Sequence, residues 1–252
     1  SESFTFSKHI DTGTYTLVVE YYEAAGGAIV EFRPETDDNH AQVLRVPHYE
    51  DVTVQSGGTL TAHAWDGATG GIVAIRANGI VTVHGLASVS GLGYRGGHGT
   101  QGYDNSSNYG KRGEGTQGGY SDRTSARSGN GGGAGYEPHN NGGAGGGNAE
   151  YGESGYDGVS QGGAPVGQDD LTNLFFGGGG GGAASGFGEH EDGHEGTNGG
   201  GIALISSRTL NITSIGTITG SANNARNNPA RFGGGGGAGG SILLISESMS
   251  VG

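Results

Sequence analysis

Residues 175–182 read Phe-Phe-Gly-Gly-Gly-Gly-Gly-Gly, and further along an aliphatic strand, Ile-Ala-Leu-Ile, follows directly on glycines at 202–205. The same order of aromatic residue, glycine run and aliphatic strand returns with Phe232, the glycines at 233–237 and the strand at 242–245. A unit that cannot bury its apolar face alone stacks on copies of itself. The chain is therefore predicted to be organised around this repeat.

The repeat has an earlier member with aliphatic stretches in residues 72–83. Counted from the last glycine, the copies that follow Gly201 and Gly240 align without a gap, whereas the earlier copy is one residue out of step. The copy after Gly240 supplies Met249 and Val251 and stops half way through the unit. We expect the three copies to form flat strand layers, at about 43–91, 202–220 and 242–251.

Glycine makes up 60 of the 252 residues, more than three times its usual share of about 7%. The chain lacks the Gly-X-Y period of collagen, and a disordered segment has no reason to repeat aliphatic strands. Because glycine has no Cβ, extended helices with three residues per turn approach closely enough for their amides to bond neighbouring carbonyls. We predict an all-β fold with little or no α-helix, in which polyglycine II-type helices pack beside the strand layers. The glycines and aromatic caps central to this packing are Phe175, Phe176, Gly179, Phe232 and Gly235.

Residues 1–39 are predicted to form a small antiparallel β unit, separate from a glycine-rich repeat domain at 40–252. Phe4 and Phe6 begin a series of apolar residues that alternate with polar ones at period two. The stretch 13–32, Gly-Thr-Tyr-Thr-Leu-Val-Val-Glu-Tyr-Tyr-Glu followed by Ala-Ala-Gly-Gly-Ala, resembles the closing strands of PA14-like carbohydrate-associated β-sandwiches. This resemblance implies a piece of a β-sandwich. The polar joint at 33–39 marks the predicted boundary.

Three motifs of the second domain resemble the glycine-rich surface and fibre proteins of bacteria and their phages. They are Val-Thr-Val-Gln-Ser-Gly-Gly-Thr-Leu at 52–60, Trp-Asp-Gly-Ala-Thr-Gly-Gly at 65–71 and Gly-Tyr-Arg-Gly-Gly at 93–97. The resemblance covers residues 43–252 and implies the architecture of such fibres. Trp65, the single tryptophan, is predicted to cap the first strand layer and not to stack on a ligand.

The densest set of metal-ligand side chains lies at 189–195. Its two histidines are four residues apart, a spacing that makes a metal pair on a helix, but the surrounding glycines disfavour a helix. We interpret the set as a solvated acidic loop, with a Ca²⁺ or transition-metal site as the alternative. The candidate ligands are Glu189, His190, Glu191, Asp192, His194 and Glu195.

Other chemistry is not indicated by the sequence. Without cysteine there is neither a disulfide framework nor a thiolate site, and no run of 18 apolar residues predicts a membrane span. With 25 acidic and 12 basic residues, binding of nucleic acid through a basic surface is not expected. Glycine-rich matches to dinucleotide and nucleophile motifs lack the strand–turn–helix context that those motifs require. We find no catalytic set, and we expect neither enzymatic activity nor a cofactor.

The function predicted from these features is structural. The chain is expected to be an extracellular, cell-surface or virion protein whose copies polymerise into a fibre, filament or matrix. The alternative is a phage-fibre or bacterial adhesin that binds a surface glycan or an outer-membrane receptor through loops between glycine helices. Because open strand edges pair readily with other chains, assembly is expected at the two ends, through Phe4, Phe6, Ile242, Leu244, Met249 and Val251.

Overall fold

The computed structural model describes residues 44, 46–100, 110–120, 122–135, 142–155, 158–168, 170–184, 193–223 and 233–252. The chain divides into two units, Ser1–Val43 and Leu44–Gly252. All described residues belong to the second unit. The antiparallel β unit predicted for residues 1–39 therefore lies outside them.

The described residues form nine β-strands and no helix, which confirms the all-β class for this part of the chain. No helix there is long and apolar enough to cross a bilayer. The strands are β1 (His48–Tyr49), β2 (Val52–Val54), β3 (Thr59–Leu60), β4 (Ile72–Ala77), β5 (Ile80–Val83), β6 (Leu86–Ser88), β7 (Ile202–Ile212), β8 (Thr217–Thr219) and β9 (Ser241–Val251).

The strands stack in four layers, and all their pairings are parallel. The first layer holds β1 to β3, the second β4 to β6, the third β7 and β8, and the fourth β9. The repeat thus has four members, and the prediction of three was wrong. The single layer predicted at 43–91 is two layers: no glycine run precedes the short strands at 48–60, but each of them pairs with the corresponding strand of the second layer.

The register between layers reproduces the offsets seen in the sequence. β7 and β9 pair without a slip along their whole length. Between the second and third layers, Arg76 pairs with Ser206 but Ile80 pairs with Thr209, so the second layer holds one extra residue. The amide of Thr209 and the amide before it both donate to the carbonyl of Gly79, at 3.2 and 3.1 Å. This local bulge absorbs the one-residue difference.

Aliphatic side chains at paired positions of successive layers stack in rows inside the layers. One row consists of Val54, Val83, Ile212 and Val251, of which Val83 is fully buried. Burying a valine or leucine side chain contributes roughly 1.5–3 kcal/mol, so these rows account for much of the stability of the layers. The core contains Val54, Ile75, Ala77, Val81, Val83, Ile205 and Leu210.

Glycine-rich segments that connect the layers form a bundle, called the glycine bundle below. One central segment, 177–184, follows Phe176, and all of its described residues are buried. Its amides donate to backbone carbonyls of three neighbouring segments, and consecutive bonds to one neighbour are three residues apart. The N···O distances of these bonds lie between 2.8 and 3.0 Å. The pairs, with the donor residue first, are Gly177 and Gly200, Gly180 and Thr197, Ala183 and His194, Gly178 and Gly147, Gly181 and Ala144, Gly179 and Glu114, and Gly182 and Lys111.

The central segment also accepts bonds from three further segments, again at three-residue intervals. The donors are the amides of Gly97, Thr100, Gly132, Gly135, Gly235 and Ala238. Six segments therefore surround the central one: 93–100, 110–115, 130–135, 142–148, 193–200 and 233–240. Each of the six is also hydrogen-bonded to the next, so they close a ring around the centre.

This packing explains the run of six glycines at 177–182. A Cβ at any of them would overlap a neighbouring backbone carbonyl oxygen, and three successive residues face three different neighbours. A Cβ on Gly179 would overlap the carbonyl oxygen of Arg95, and one on Gly235 would overlap that of Ala144. Glycine is therefore required at each of these six positions.

Candidate functional site

The predicted metal-binding loop lies mostly outside the described residues, which include only His194 and Glu195 of its candidate ligands. The carbonyl of His194 accepts a bond from Ala183 at 2.8 Å, and the Glu195 carboxylate lies 2.9 Å from Nδ1 of His98. Within the part of the chain that the structure describes, no group of three or more His, Asp or Glu side chains is placed to hold a metal ion. The metal site stays an untested alternative.

One face of the glycine bundle carries an ion pair between the segments 93–100 and 110–115. Arg95 Nε donates to Glu114 Oε2 at 3.0 Å and Nη2 donates to Oε1 at 3.2 Å, so the pair is bidentate. The Glu114 carboxylate also accepts from the backbone amide of Arg95, and Arg95 Nη1 donates to the carbonyl of Asp66 at 2.8 Å. Glu114 is only 7% exposed. This pair fixes the two glycine segments to each other and to the loop that follows the first layer.

A second polar chain on the same face links Tyr120, His98 and Glu195. The Tyr120 hydroxyl lies 2.6 Å from His98 Nε2, and His98 Nδ1 lies 2.9 Å from Glu195 Oε1. An ionised carboxylate only accepts hydrogen bonds, so Nδ1 of His98 donates to Glu195. The guanidinium carbon of Arg95 lies 3.9 Å from the centre of the Tyr120 ring. Side chains from three glycine segments and from residue 120 therefore form one network.

The electrostatics of this face favour neutral phenols. Burial, reinforced by the nearby charge of Glu114, raises the pKa of Tyr94 to about 12. Burial also raises the pKa of Tyr120, although the positive charge of Arg95 acts in the opposite direction. Burial lowers the pKa of Arg95, but the hydrogen bond and charge of Glu114 outweigh that effect and leave it raised. Tyr120 is thus protonated at neutral pH, and its hydroxyl is not activated as a nucleophile.

Three aromatic rings meet where the glycine bundle joins the strand layers. The ring centre of Phe176 lies 5.4 Å from that of Trp65 and 5.3 Å from that of Tyr94. Trp65 and Tyr94 are also in contact, edge to face, at 6.3 Å. Trp65 therefore has packing contacts, as a structural role requires. Its ring contacts are with Tyr94 and Phe176 of the glycine-rich region, however, and not with the first strand layer that it was predicted to cap. Phe175 is held nearby, since its amide and carbonyl both bond the Ser241 hydroxyl, whereas Phe232 lies outside the described residues.

The predicted assembly residues of the last strand lie in the aliphatic rows. Ile242 and Leu244 pack against buried residues of the inner layers. Met249 and Val251 pair with Leu210 and Ile212 but are 46% and 70% exposed. β9 pairs with β7 along one edge, and no described strand pairs with its other edge. The rows of Met249 and Val251 thus lack a covering layer within the described residues, while Phe4 and Phe6 lie outside them.

Reasoning from sequence missed the polar network of Arg95, His98, Glu114 and Tyr120. A signal for part of it was present: Arg95 and His98 are three residues apart, as are Lys111 and Glu114. In helices with three residues per turn this spacing places side chains on one face. The neighbours of each glycine segment could not be predicted from the sequence, because the glycine runs are nearly identical in composition.

Comparisons of the chain with protein-family models, with curated proteins and with solved structures give no match.

Proposed function

We propose that this chain is an extracellular structural protein whose copies associate into a fibre, filament or matrix at a cell or virion surface. The observation that carries the proposal is the outer edge of β9, an 11-residue strand that no other described strand pairs on this side, beside the exposed Met249 and Val251 side chains. A long strand edge of this kind is a template for pairing with another chain. A strand of a second copy, added in the parallel register of the existing layers, would cover the two aliphatic rows.

The proposal includes a finer architecture. The glycine segments are taken to be polyglycine II-type helices, which the three-residue interval of their hydrogen bonds supports. The antiparallel unit at 1–39, with Phe4 and Phe6, is taken to supply the complementary end of the next copy. Because β9 and the unit at 1–39 are different surfaces, the contact is heterologous, and repetition of such a contact without closure gives a filament.

The composition is compatible with this role. A net charge of −13 keeps an exposed protein soluble until specific contacts form. The chain has no cysteine and thus needs no redox partner to reach its fold. The resemblance of its motifs to glycine-rich surface and fibre proteins supports the same role.

The test compares the assembly of the wild-type chain with that of Met249→Lys and Val251→Lys by negative-stain microscopy and sedimentation velocity. A lysine at either position places a charge in the surface that the next copy must bury, so we expect filaments from the wild type and single chains from the variants. Val159→Lys is the matched control, since Val159 is also an exposed valine, 41% accessible, but lies outside β9. Assembly that both β9 variants retain would contradict the proposed contact.

A second candidate function, glycan binding by an adhesin, is favoured by one aromatic residue. Tyr151 is 67% exposed and borders an open cleft of about 380 Å³ between residues 146–151 and 238–240. The guanidinium of Arg127 lies 5.4 Å from the Tyr151 ring centre, and aromatic rings with polar neighbours serve well in binding partly polar ligands. A glycan-array signal that Tyr151→Ala abolishes would favour this function; no signal, or a signal that Tyr151→Ala leaves intact, would exclude binding through this residue.

A further inference from the structure

Three glycines of the segment 233–240 differ from the other described glycines in what surrounds them. Elsewhere in the described residues, Gly135 apart, a glycine either has a φ in the left-handed region or would, with a Cβ, come within 3.2 Å of a neighbouring atom. At Gly233 and Gly236 a Cβ would meet nothing within 4 Å, and at Gly239 it would meet only the Gly220 carbonyl oxygen, at 3.7 Å. None of the three has a left-handed φ. Neither backbone conformation nor packing among the described residues requires glycine at these positions.

The three residues are spaced by three and lie on one face of their segment, called the outer glycine strip below. The inner face is occupied, since the amides of Gly235 and Ala238 donate to the central segment. Outward-facing positions of other ring segments carry side chains, for example His98 and Glu195. The strip, in contrast, carries no side chains, and its glycines are half-buried (Gly233 and Gly236) or exposed (Gly239).

The strip also has unused hydrogen-bonding groups at the interval of the bundle. The amides of Gly233, Gly236 and Gly239 have no acceptor among the described residues, and the carbonyls of Gly234 and Gly237 have no donor there. In the ring, columns of donors and acceptors with this three-residue interval bond each segment to its neighbours. The strip therefore presents one vacant donor column and one vacant acceptor column.

We propose that the outer glycine strip is a docking surface for a glycine segment of a second copy of this chain, which extends the hydrogen-bonded bundle from one molecule into the next. This inference rests on the proposed self-assembly and assigns it a second contact besides β9. The amides in the strip of one copy donate hydrogen bonds to the carbonyls in the strip of the other copy. Donors and acceptors belong to different columns of the segment, so the contact is heterologous and can repeat.

A second copy fits the strip better than an unrelated partner for a steric reason. Within the bundle, a Cβ that faces an adjacent segment overlaps its backbone, so close docking requires a partner with glycine at every third residue as well. The segment 233–240 reads Gly-Gly-Gly-Gly-Gly-Ala-Gly-Gly and meets this requirement itself. The proposed contact also continues the ring that already joins 233–240 to 142–148 and 193–200.

The experiment compares two adjacent alanine substitutions in the full chain, Gly236→Ala on the strip and Gly235→Ala on the inner face. Thermal unfolding is measured at a concentration where the chains are separate, and association by sedimentation velocity over a concentration series. For Gly236→Ala we expect an unchanged unfolding temperature and an association midpoint shifted to at least about tenfold higher concentration. For Gly235→Ala we expect a lower unfolding temperature even in the separate chain, since its Cβ would overlap the Ala144 carbonyl oxygen.

Two results would overturn the inference. Unchanged association of Gly236→Ala would show that no chain docks on the strip. A lower unfolding temperature of separate Gly236→Ala chains would show that another part of the same chain covers it. If the wild type assembles and Val251→Lys prevents this while Gly236→Ala does not, the strip inference fails and the β9 contact stands. If the wild type stays monomeric at every concentration, both fail.

Discussion

Whether a glycine of the bundle can be replaced depends on what a Cβ at that position would contact. At each glycine from 177 to 182, an added Cβ would overlap the backbone of a neighbouring segment. On the outer strip the same methyl group would enter open space. Glycines of the outer strip are therefore expected to tolerate substitution by alanine, whereas those at 177–182 are not.

This difference predicts opposite results for Gly179→Ala and Gly233→Ala. The first should lower the free energy of unfolding by roughly 1–3 kcal/mol or more, the usual cost of overpacking a core, because its Cβ would overlap the Arg95 carbonyl. The second should change it by no more than about 0.5 kcal/mol. Urea unfolding of dilute chains measures both. Equal effects of the two substitutions would mean that the glycine runs are flexible linkers.

The raised pKa of the Tyr94 phenol predicts a loss of stability in alkali. Its pKa is raised to about 12 in the folded chain from 10.0, so the folded state keeps the proton that the unfolded state loses. The contribution is complete below pH 10 and disappears as the pH rises from 10 to 12. Two pKa units correspond to about 2–3 kcal/mol of unfolding free energy.

Tyr94→Phe tests this prediction, because it keeps the ring contacts with Trp65 and Phe176 and removes the titrating group. Between pH 10 and 12 the variant should lose about 2–3 kcal/mol less than the wild type. The measurement is chemical unfolding at several pH values. Parallel pH profiles of the two proteins would show that Tyr94 titrates normally.

Neighbouring glycine segments are linked at their outer faces by side-chain contacts as well as by backbone hydrogen bonds. The ion pair of Arg95 with Glu114 joins the segments 93–100 and 110–115, and the contact of His98 with Glu195 joins 93–100 to 193–200. The two differ in burial: the side-chain exposures are 28% and 9% in the first pair but 47% and 67% in the second. The buried pair is therefore expected to contribute more.

The prediction at this scale is that Glu114→Ala destabilises and Glu195→Ala does not. Removing Glu114 leaves the guanidinium of Arg95 without its bidentate partner. Breaking a buried pair costs about 3–5 kcal/mol, and the partial exposure of Arg95 places the expected loss at the lower end of that range. Glu195→Ala is the matched control, with an expected change below about 1 kcal/mol. Comparable losses in the two variants would indicate that burial does not set the strength of these contacts.

For the whole molecule, the sequence was informative wherever local pattern decides structure. The aliphatic strands after Gly201 and Gly240 and the one-residue offset of the earlier copy were predictable, because in-register stacking requires copies of equal length. The layer at 48–60 was not recognised as a copy, since its strands are only two or three residues long and gain their place by pairing. The order of segments around 177–184 was also not readable, because it depends on contacts between stretches of nearly identical composition.

The glycine-rich segments form an ordered, hydrogen-bonded bundle, and amide hydrogen exchange can measure this order residue by residue. Every amide from Gly177 to Gly182 is bonded to a neighbouring carbonyl, so its exchange requires opening of the bundle. We predict protection of these amides comparable to that of the buried strand β7, with rapid exchange at Gly236 in separate chains. Exchange of 177–182 as rapid as in an unstructured peptide would contradict an ordered bundle.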